Sequence, residues 1–127
     1  MTEKSEPLAT NIYKEALALK DQMIRWRRAL HREPEVGLHL PKTSAFLKAR
    51  LEEMGIEYTT LVDGSCITAT LGQGEPCIML RADCDALPIK EMSGESFASE
   101  NEAMHACGHD MHAAMLLGAA KMLKERE

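Results

Sequence analysis

The sequence predicts an α/β fold in which helices pack on a mainly short sheet. Two observations support this. Apolar residues recur at helical spacing near both ends of the chain, whereas strand-length apolar runs separated by glycine-containing turns occupy the middle. With 127 residues, the chain can bury one hydrophobic core. We expect a flexible N-terminus over residues 1–10 and one domain over residues 11–127.

A first amphipathic helix is predicted over residues 11–31. Pro34 ends it, because the residue before a proline disfavours helical geometry. Its arginines are interpreted as a solvated helix face. The apolar face comprises Ile12, Ala16, Leu19, Met23, Trp26 and Leu30, and the arginines are Arg25, Arg27, Arg28 and Arg32.

A second helix and three strands are predicted next. The helix follows Pro41 and ends before Gly55, with Leu47, Leu51 and Met54 buried. The strand-length runs cover 56–62, 65–71 and 76–82. The first two resemble a hairpin, and the apolar third run is typical of a strand buried on both faces.

The C-terminal part is predicted to be a polar connection followed by a helix. The connection covers residues 88–103, and the helix runs from about Gly108 to Glu127. Its inward positions are predicted to be Leu116, Ala119, Ala120 and Leu123.

Composition excludes several classes of partner. The formal net charge of −5 argues against nucleic acid or an anionic membrane surface, because both favour clustered cations. No apolar run resembles a signal peptide or a membrane span, and we expect a cytoplasmic location. The four cysteines form no CxxC pair and are interpreted as free thiols or ligands.

Two carboxylates follow the third strand-length run. Side chains two apart in an extended segment point the same way, so Asp83 and Asp85 could face one point in space. The alternative is a strand end turned by aspartate and proline, with Asp85 capping a backbone amide.

A cluster of metal-ligand residue types opens the last helix. Three histidines, a thiol and a carboxylate lie between positions 105 and 112: His105, Cys107, His109, Asp110 and His112. A turn at Gly108 could direct the sulfur of Cys107 and the imidazole of His109 to one cation, and Zn²⁺ accepts both ligands. The alternative is a capping and packing role. His105 and His112 could equally be ligands or orient the ligands.

Two or three ligands are fewer than a zinc site usually has, so further ligands must come from elsewhere. A hydrolase would also need a general base near the metal-bound water. Asp85 alone is not sufficient evidence for that base.

At these residues the chain resembles the aminoacylase-like metallopeptidase family. The segments are 80–89, LRADCDALPI, and 104–110, MHACGHD. The nearest branch includes hippurate hydrolase, auxin-conjugate hydrolases and N-acyl-amino-acid amidohydrolases. An earlier motif, Arg28-x-x-His31-x-x-Pro34-Glu35, matches the opening of that branch.

The resemblance implies the N-terminal part of a zinc-peptidase-like α/β catalytic domain. It implies a site for two divalent ions, Zn, Mn, Co or Ni, with Cys107 and His109 as ligands and Asp85 supporting catalysis. Asp83 stands where other branches carry a histidine ligand; with His105, Asp110 and His112 it is assigned to ligand support or substrate contact. The implied reaction is hydrolysis of the amide bond in N-acyl amino acids or related conjugates.

The chain also departs from the family. Met111 and Ala113 flank His112 where glycine and threonine are usual, and Cys84 replaces a usual methionine. Family members continue with a paired-glutamate motif, which supplies the base and a ligand, and with later histidines. We therefore expect a truncated or split member that is inactive alone.

Two alternatives to an enzyme remain open. One is a non-catalytic metal-binding or interaction fragment that pairs with a C-terminal partner or with a second copy in a homo-oligomer. The other is a thiol-based redox protein that uses Cys107, although no resolving cysteine is near it in sequence.

Overall fold

The computed structural model describes residues 7–127 and contains four helices and one hairpin in that range. The helices are α1 (Leu8–Ala18), α2 (Lys20–Arg32), α3 (Pro41–Glu53) and α4 (His109–Lys124). The strands β1 (Thr59–Leu61) and β2 (Cys66–Thr68) pair antiparallel, with Thr60 opposite Ile67. None of the helices in this range is long and apolar enough to span a membrane. Helices beside a short sheet agree with the predicted fold class.

The first predicted helix is divided in two at Leu19. Only the second part follows the predicted pattern, because Trp26 and Leu30 on α2 are buried whereas α1 buries no residue. The helix ends at Arg32, before Pro34, as predicted. Helix α1 begins within the segment expected to be flexible, and residues 1–6 of that segment lie outside the described residues.

Helix α3 and the hairpin agree with the sequence patterns. Proline at the first position of α3 supplies helical φ without losing a hydrogen bond, and Gly55 follows the helix with φ +70°. Leu51 is buried, and Leu47 and Met54 pack against the core. The strands are shorter than predicted.

The prediction of a third strand, buried on both faces, is wrong. Ile78 and Met79 are 82% and 85% exposed, and residues 76–82 form no strand. Burial on both faces requires neighbouring strands, and none lies beside this run within residues 7–127. The apolar run therefore lies open to solvent.

The core lies between α2, α3 and α4. Trp26, Leu51, Ile56, Ala114 and Leu117 form its buried centre. The inward face of α4 agrees with the prediction only in part. Ala120 packs against the core as predicted, but Leu123 is 47% exposed, and the buried positions are Ala113, Ala114, Leu117 and Gly118.

Small residues let α2 and α4 approach closely. A Cβ added at Gly118 would lie 2.5 Å from the sulfur of Met23. The prediction was wrong for Leu123 because the buried stripe of α4 passes through Ala114, Leu117 and Gly118, and Leu123 falls outside it.

Backbone pairs hold the segments that precede α4. The amide of Ala86 donates to the carbonyl of Glu35 at 2.8 Å, and Leu87 and Met104 exchange two backbone hydrogen bonds of 2.9 and 3.0 Å. These contacts bring Asp85 and the segment that follows Met104 to the start of α4.

Candidate metal centre

The candidate site is built on the turn that begins α4. Gly108 is the N-cap of the helix, with φ +85°, a left-handed conformation that favours glycine. No side chain caps the helix N-terminus. Cys107, immediately before the glycine, is exposed and has a free thiol. The turn therefore places a thiol and the imidazole of His109 on either side of one glycine.

Asp85 orients the imidazole of His109. The Nδ1 atom of His109 lies 2.9 Å from Oδ1 of Asp85 and 3.0 Å from the Asp85 carbonyl oxygen. Both oxygens are acceptors, so Nδ1 carries the proton and donates. Nε2 forms no hydrogen bond within the described part of the chain, and in the neutral imidazole it is the nitrogen that can accept a ligand. A carboxylate behind the imidazole is the usual support of a metal-bound histidine.

The donor chemistry fits a divalent ion of borderline softness. A thiol and an imidazole with Nε2 available are ligand types that Zn²⁺ and similar ions accept. Within residues 7–127, no three His, Cys, Asp or Glu side chains are gathered closely enough to hold an ion. Cys107 and His109 alone would therefore be fewer ligands than a zinc site usually has.

Asp83 and His112 lie near the same turn but differ in their contacts with His109. Asp83 accepts a 2.5 Å hydrogen bond from Arg81 and forms no ion pair with His109 within residues 7–127. Asp83 and Asp85 therefore have different partners. The His112 ring lies 6.0 Å from the His109 ring, centroid to centroid. The structure thus brings Asp85 and His112 to His109, but pairs Asp83 with a neighbouring arginine.

Asp110 follows His109 in the same turn, and its side chain is wholly buried. Its Oδ2 atom accepts hydrogen bonds from Arg27 Nε at 2.7 Å and from His31 Nδ1 at 2.8 Å. The other nitrogen of His31 donates to Glu91 at 2.5 Å. The prediction that the arginines form a solvated helix face is wrong for Arg27, which pairs with a buried carboxylate.

His105 is buried between these two groups of residues. It is 4% exposed, and neither of its ring nitrogens has a hydrogen-bond partner in residues 7–127. Burial lowers the pKa of His105; the carboxylate of Asp110 opposes that shift, and His31 and His109 reinforce it. A neutral His105 imidazole follows from this environment.

Cys84 is less exposed to solvent than Cys107. Burial, reinforced by the carboxylates of Asp83 and Asp85, raises the pKa of Cys84 to about 11. Its thiol therefore stays protonated at neutral pH and is a poor ligand.

Sequence reasoning missed the contributions of His31, Arg27 and Glu91 to the surroundings of the turn. The motif Arg28-x-x-His31 marked His31, but nothing indicated its partners. Glu91 lies in the connection predicted to be polar, yet its side chain is 1% exposed. A carboxylate buried by contacts distant in sequence leaves no local pattern.

Comparison with known proteins places this site in a family. Residues 79–127 match the model of peptidase family M20/M25/M40. An IAA-amino acid hydrolase of Arabidopsis thaliana is 45% identical over 84% of this chain and 25% of the relative. N-acetyl-L-cysteine deacetylase of Bacillus subtilis is 46% identical over 86% of this chain and 27% of the relative.

A solved structure of the same family also matches the fold of this chain. The crystal structure of Bacillus subtilis YXEP, a dinuclear metal-binding M20 peptidase, matches with a TM-score of 0.79 and 38% identity over 86% of this chain and 32% of that one. The fold and the donor groups define a metallopeptidase-like domain. The chain belongs to peptidase family M20/M25/M40. It spans about a quarter to a third of the length of these relatives.

Proposed function

We propose that this chain supplies part of the active site of a metal-dependent amidohydrolase that cleaves the amide bond of N-acyl amino acids or related conjugates. The orientation of His109 carries the proposal: Asp85 holds Nδ1, and Nε2 remains available beside the exposed Cys107. The two relatives described above are named for reactions on an amino acid conjugate and an N-acetyl amino acid.

Cys107 and His109 are the proposed metal ligands, and Asp85 is the residue that orients His109. A complete site would hold two divalent ions, Zn, Mn, Co or Ni, which would polarise the amide carbonyl and activate water. Asp85 holds the proton of His109 on Nδ1 and thereby selects the tautomer that can bind through Nε2.

The remaining candidates divide by exposure. Asp83 and His112 lie on the solvent side and are proposed to contact a small N-acyl amino acid substrate. His105 and Asp110 are buried and are proposed to support the turn from inside. A substrate carboxylate or acyl group would approach from the exposed side, because α2 closes the other.

The chain is proposed to be inactive alone. Residues 7–127 gather fewer than three ligands at one point, and a carboxylate committed to orienting His109 is poorly placed to serve as the base. The further ligands and base are proposed to come from polypeptide of the kind that the longer relatives contain.

A second candidate is a non-catalytic fragment that associates with a C-terminal partner chain or with a second copy. The exposed apolar run at Ile78 and Met79 favours it, because large exposed apolar side chains mark contact surfaces. Size-exclusion chromatography with light scattering tests self-association, and a monomer at high concentration would exclude the homo-oligomer.

A chimera tests the enzymatic proposal. This chain would replace the matching region of the Bacillus subtilis deacetylase, and hydrolysis of N-acetyl-L-cysteine would be measured with Mn²⁺, Co²⁺ or Zn²⁺. We expect turnover by the chimera and none by the isolated chain. Cys107→Ser or His109→Ala should lower kcat/KM by about a thousandfold, since metal activation contributes several kcal/mol.

Cys77→Ser is the matched control, because Cys77 is also an exposed free cysteine. Full activity in the Cys107 and His109 variants would contradict the ligand assignment. Robust turnover by the isolated chain would contradict its proposed incompleteness.

A further inference from the structure

A buried charged cluster lies on the side of the α4 turn that faces away from the proposed ligands. It consists of Arg27, His31, Glu91 and Asp110. The side chains of His31, Glu91 and Asp110 are 3%, 1% and 0% exposed, and that of Arg27 is 29% exposed. Buried charges are rarely retained unless they are paired, and here each has a partner.

The cluster joins three segments that are distant in sequence. Arg27 and His31 belong to α2, Glu91 to the 88–103 connection and Asp110 to the first turn of α4. Both α2 residues bond the same oxygen of Asp110, and His31 also bonds Glu91. The amide of Ser99 donates to the other oxygen of Glu91. The position of the turn is therefore set by α2 and the connection together.

The turn has features that oppose its conformation. His105 Nδ1 and Nε2 and Asp110 Oδ1 are buried without partners among residues 7–127, and buried unpaired polar atoms are destabilising. Among residues 7–127, no side chain caps the N-terminus of α4. Contacts from outside the turn must compensate, and those at Asp110 are the strongest available because both are charge-assisted.

The same turn is held from its solvent side by Asp85, which bonds His109. Asp110 immediately follows His109, so two adjacent residues are fixed by different partners, His109 by Asp85 and Asp110 by the α2 residues. Displacement of Asp110 would shift His109 and the preceding Cys107 relative to each other.

From this we infer that Arg27 and His31 are positioning residues for the divalent-metal site. By holding Asp110, they fix the geometry in which Cys107 and His109 meet one ion. The inference rests on the proposed function and gives His31, marked by the Arg28-x-x-His31 motif, a role. It extends the site to two helices, because metal affinity then depends on α2 as well as on the turn.

Arg28 provides a matched control on the same helix. The guanidinium groups of Arg27 and Arg28 both lie over the ring of Phe97, at 5.0 and 4.8 Å from its centroid. Of these two arginines, only Arg27 bonds Asp110 within residues 7–127. Arg27→Met and Arg28→Met therefore remove the same type of group and the same ring contact, and differ in the bond to Asp110.

The experiment titrates the full chain with Co²⁺ and follows the thiolate-to-cobalt absorption band, with circular dichroism as a measure of folding. We expect Arg27→Met to weaken Co²⁺ binding about 10- to 100-fold, which is the typical effect of losing a residue that orients a metal ligand. The absorption band should also change. Arg28→Met should change the affinity by less than about twofold. Arg27→Lys, which keeps the charge, should restore part of the affinity.

A folded Arg27→Met variant with wild-type affinity and an unchanged band would overturn the inference while leaving the proposed function intact. Should Arg27→Met fail to fold, a folded Arg27→Gln variant, which removes the charge, decides: wild-type affinity and band overturn the inference, and weaker binding with an altered band supports it. Absence of Co²⁺ binding by the wild-type chain would overturn the ligand assignment itself, and the inference with it.

Discussion

His109 and Asp110 are adjacent in the chain but have opposite environments. The His109 side chain is 19% exposed and bonds a carboxylate that is itself 43% exposed, whereas Asp110 is wholly buried against α2. His109 thus bonds a solvent-accessible carboxylate, whereas Asp110 is fixed by charged groups of the interior. Within one helical turn, a partly exposed imidazole and a buried carboxylate paired with α2 are therefore neighbours.

The largest expected effect concerns the buried side of this pair. Asp110→Ala should destabilise the chain by about 3–5 kcal/mol, because it leaves Arg27 and the buried His31 without their shared partner. His109→Ala should cost less than about 1 kcal/mol, since its partner Asp85 remains in contact with water. Urea unfolding measures the free energy of unfolding of both variants. Equal losses of stability would contradict the contrast between a buried Asp110 and a solvent-accessible His109.

The same contrast extends along α4. Leu117→Ala should cost about 2–5 kcal/mol, because it opens a cavity against Trp26 and its neighbours in the core. Met115→Ala, at a position that is 55% exposed on the same helix, should change stability by less than about 0.5 kcal/mol. A large loss for Met115→Ala would show that the outer face of α4 is covered in solution.

A smaller, pH-dependent effect is expected from Glu91. Burial alone would raise the pKa of Glu91, but hydrogen bonds from His31 and the Ser99 amide outweigh it, and the pKa is lowered from 4.5. Stability from this group is therefore present above its ordinary pKa and is lost as pH falls through the folded value.

Glu91→Gln tests that pH dependence. It should cost about 1 kcal/mol at neutral pH, and the difference from wild type should shrink in acid. Thermal unfolding from neutral pH to about pH 3 measures this change. A difference that grows as pH falls would contradict the assigned sign.

Local patterns predicted the elements that depend on local chemistry. Pro34, Pro41 and Gly55 marked helix boundaries, because their backbone preferences do not depend on contacts with distant residues. The density of ligand types between His105 and His112 identified the turn for a similar reason: the chemistry of the side chains is visible in the sequence.

Features that depend on partners could not be predicted in the same way. The run at Ile78 has the composition of a buried strand, but burial requires neighbouring strands that the described residues do not provide. The arginines of α2 look equivalent in sequence, yet Arg27 reaches Asp110, 83 positions away. Which residues of α2 support the site is decided by packing between helices, and helical periodicity alone does not specify that packing.

Metal protection of the Cys107 thiol tests whether Cys107 and His109 together bind a divalent ion. Alkylation of each cysteine would be followed by peptide mass spectrometry with and without Zn²⁺. Cys77 and Cys107 are both exposed, so Cys77 reports any general effect of the metal, and Cys84, with its pKa near 11, should react slowly throughout.

We predict that Zn²⁺ slows alkylation of Cys107 by about tenfold or more while Cys77 is unaffected, because only a coordinated thiolate is removed from reaction. His109→Ala should abolish that protection. Equal rates for Cys107 with and without Zn²⁺, or equal slowing of both cysteines, would contradict the account.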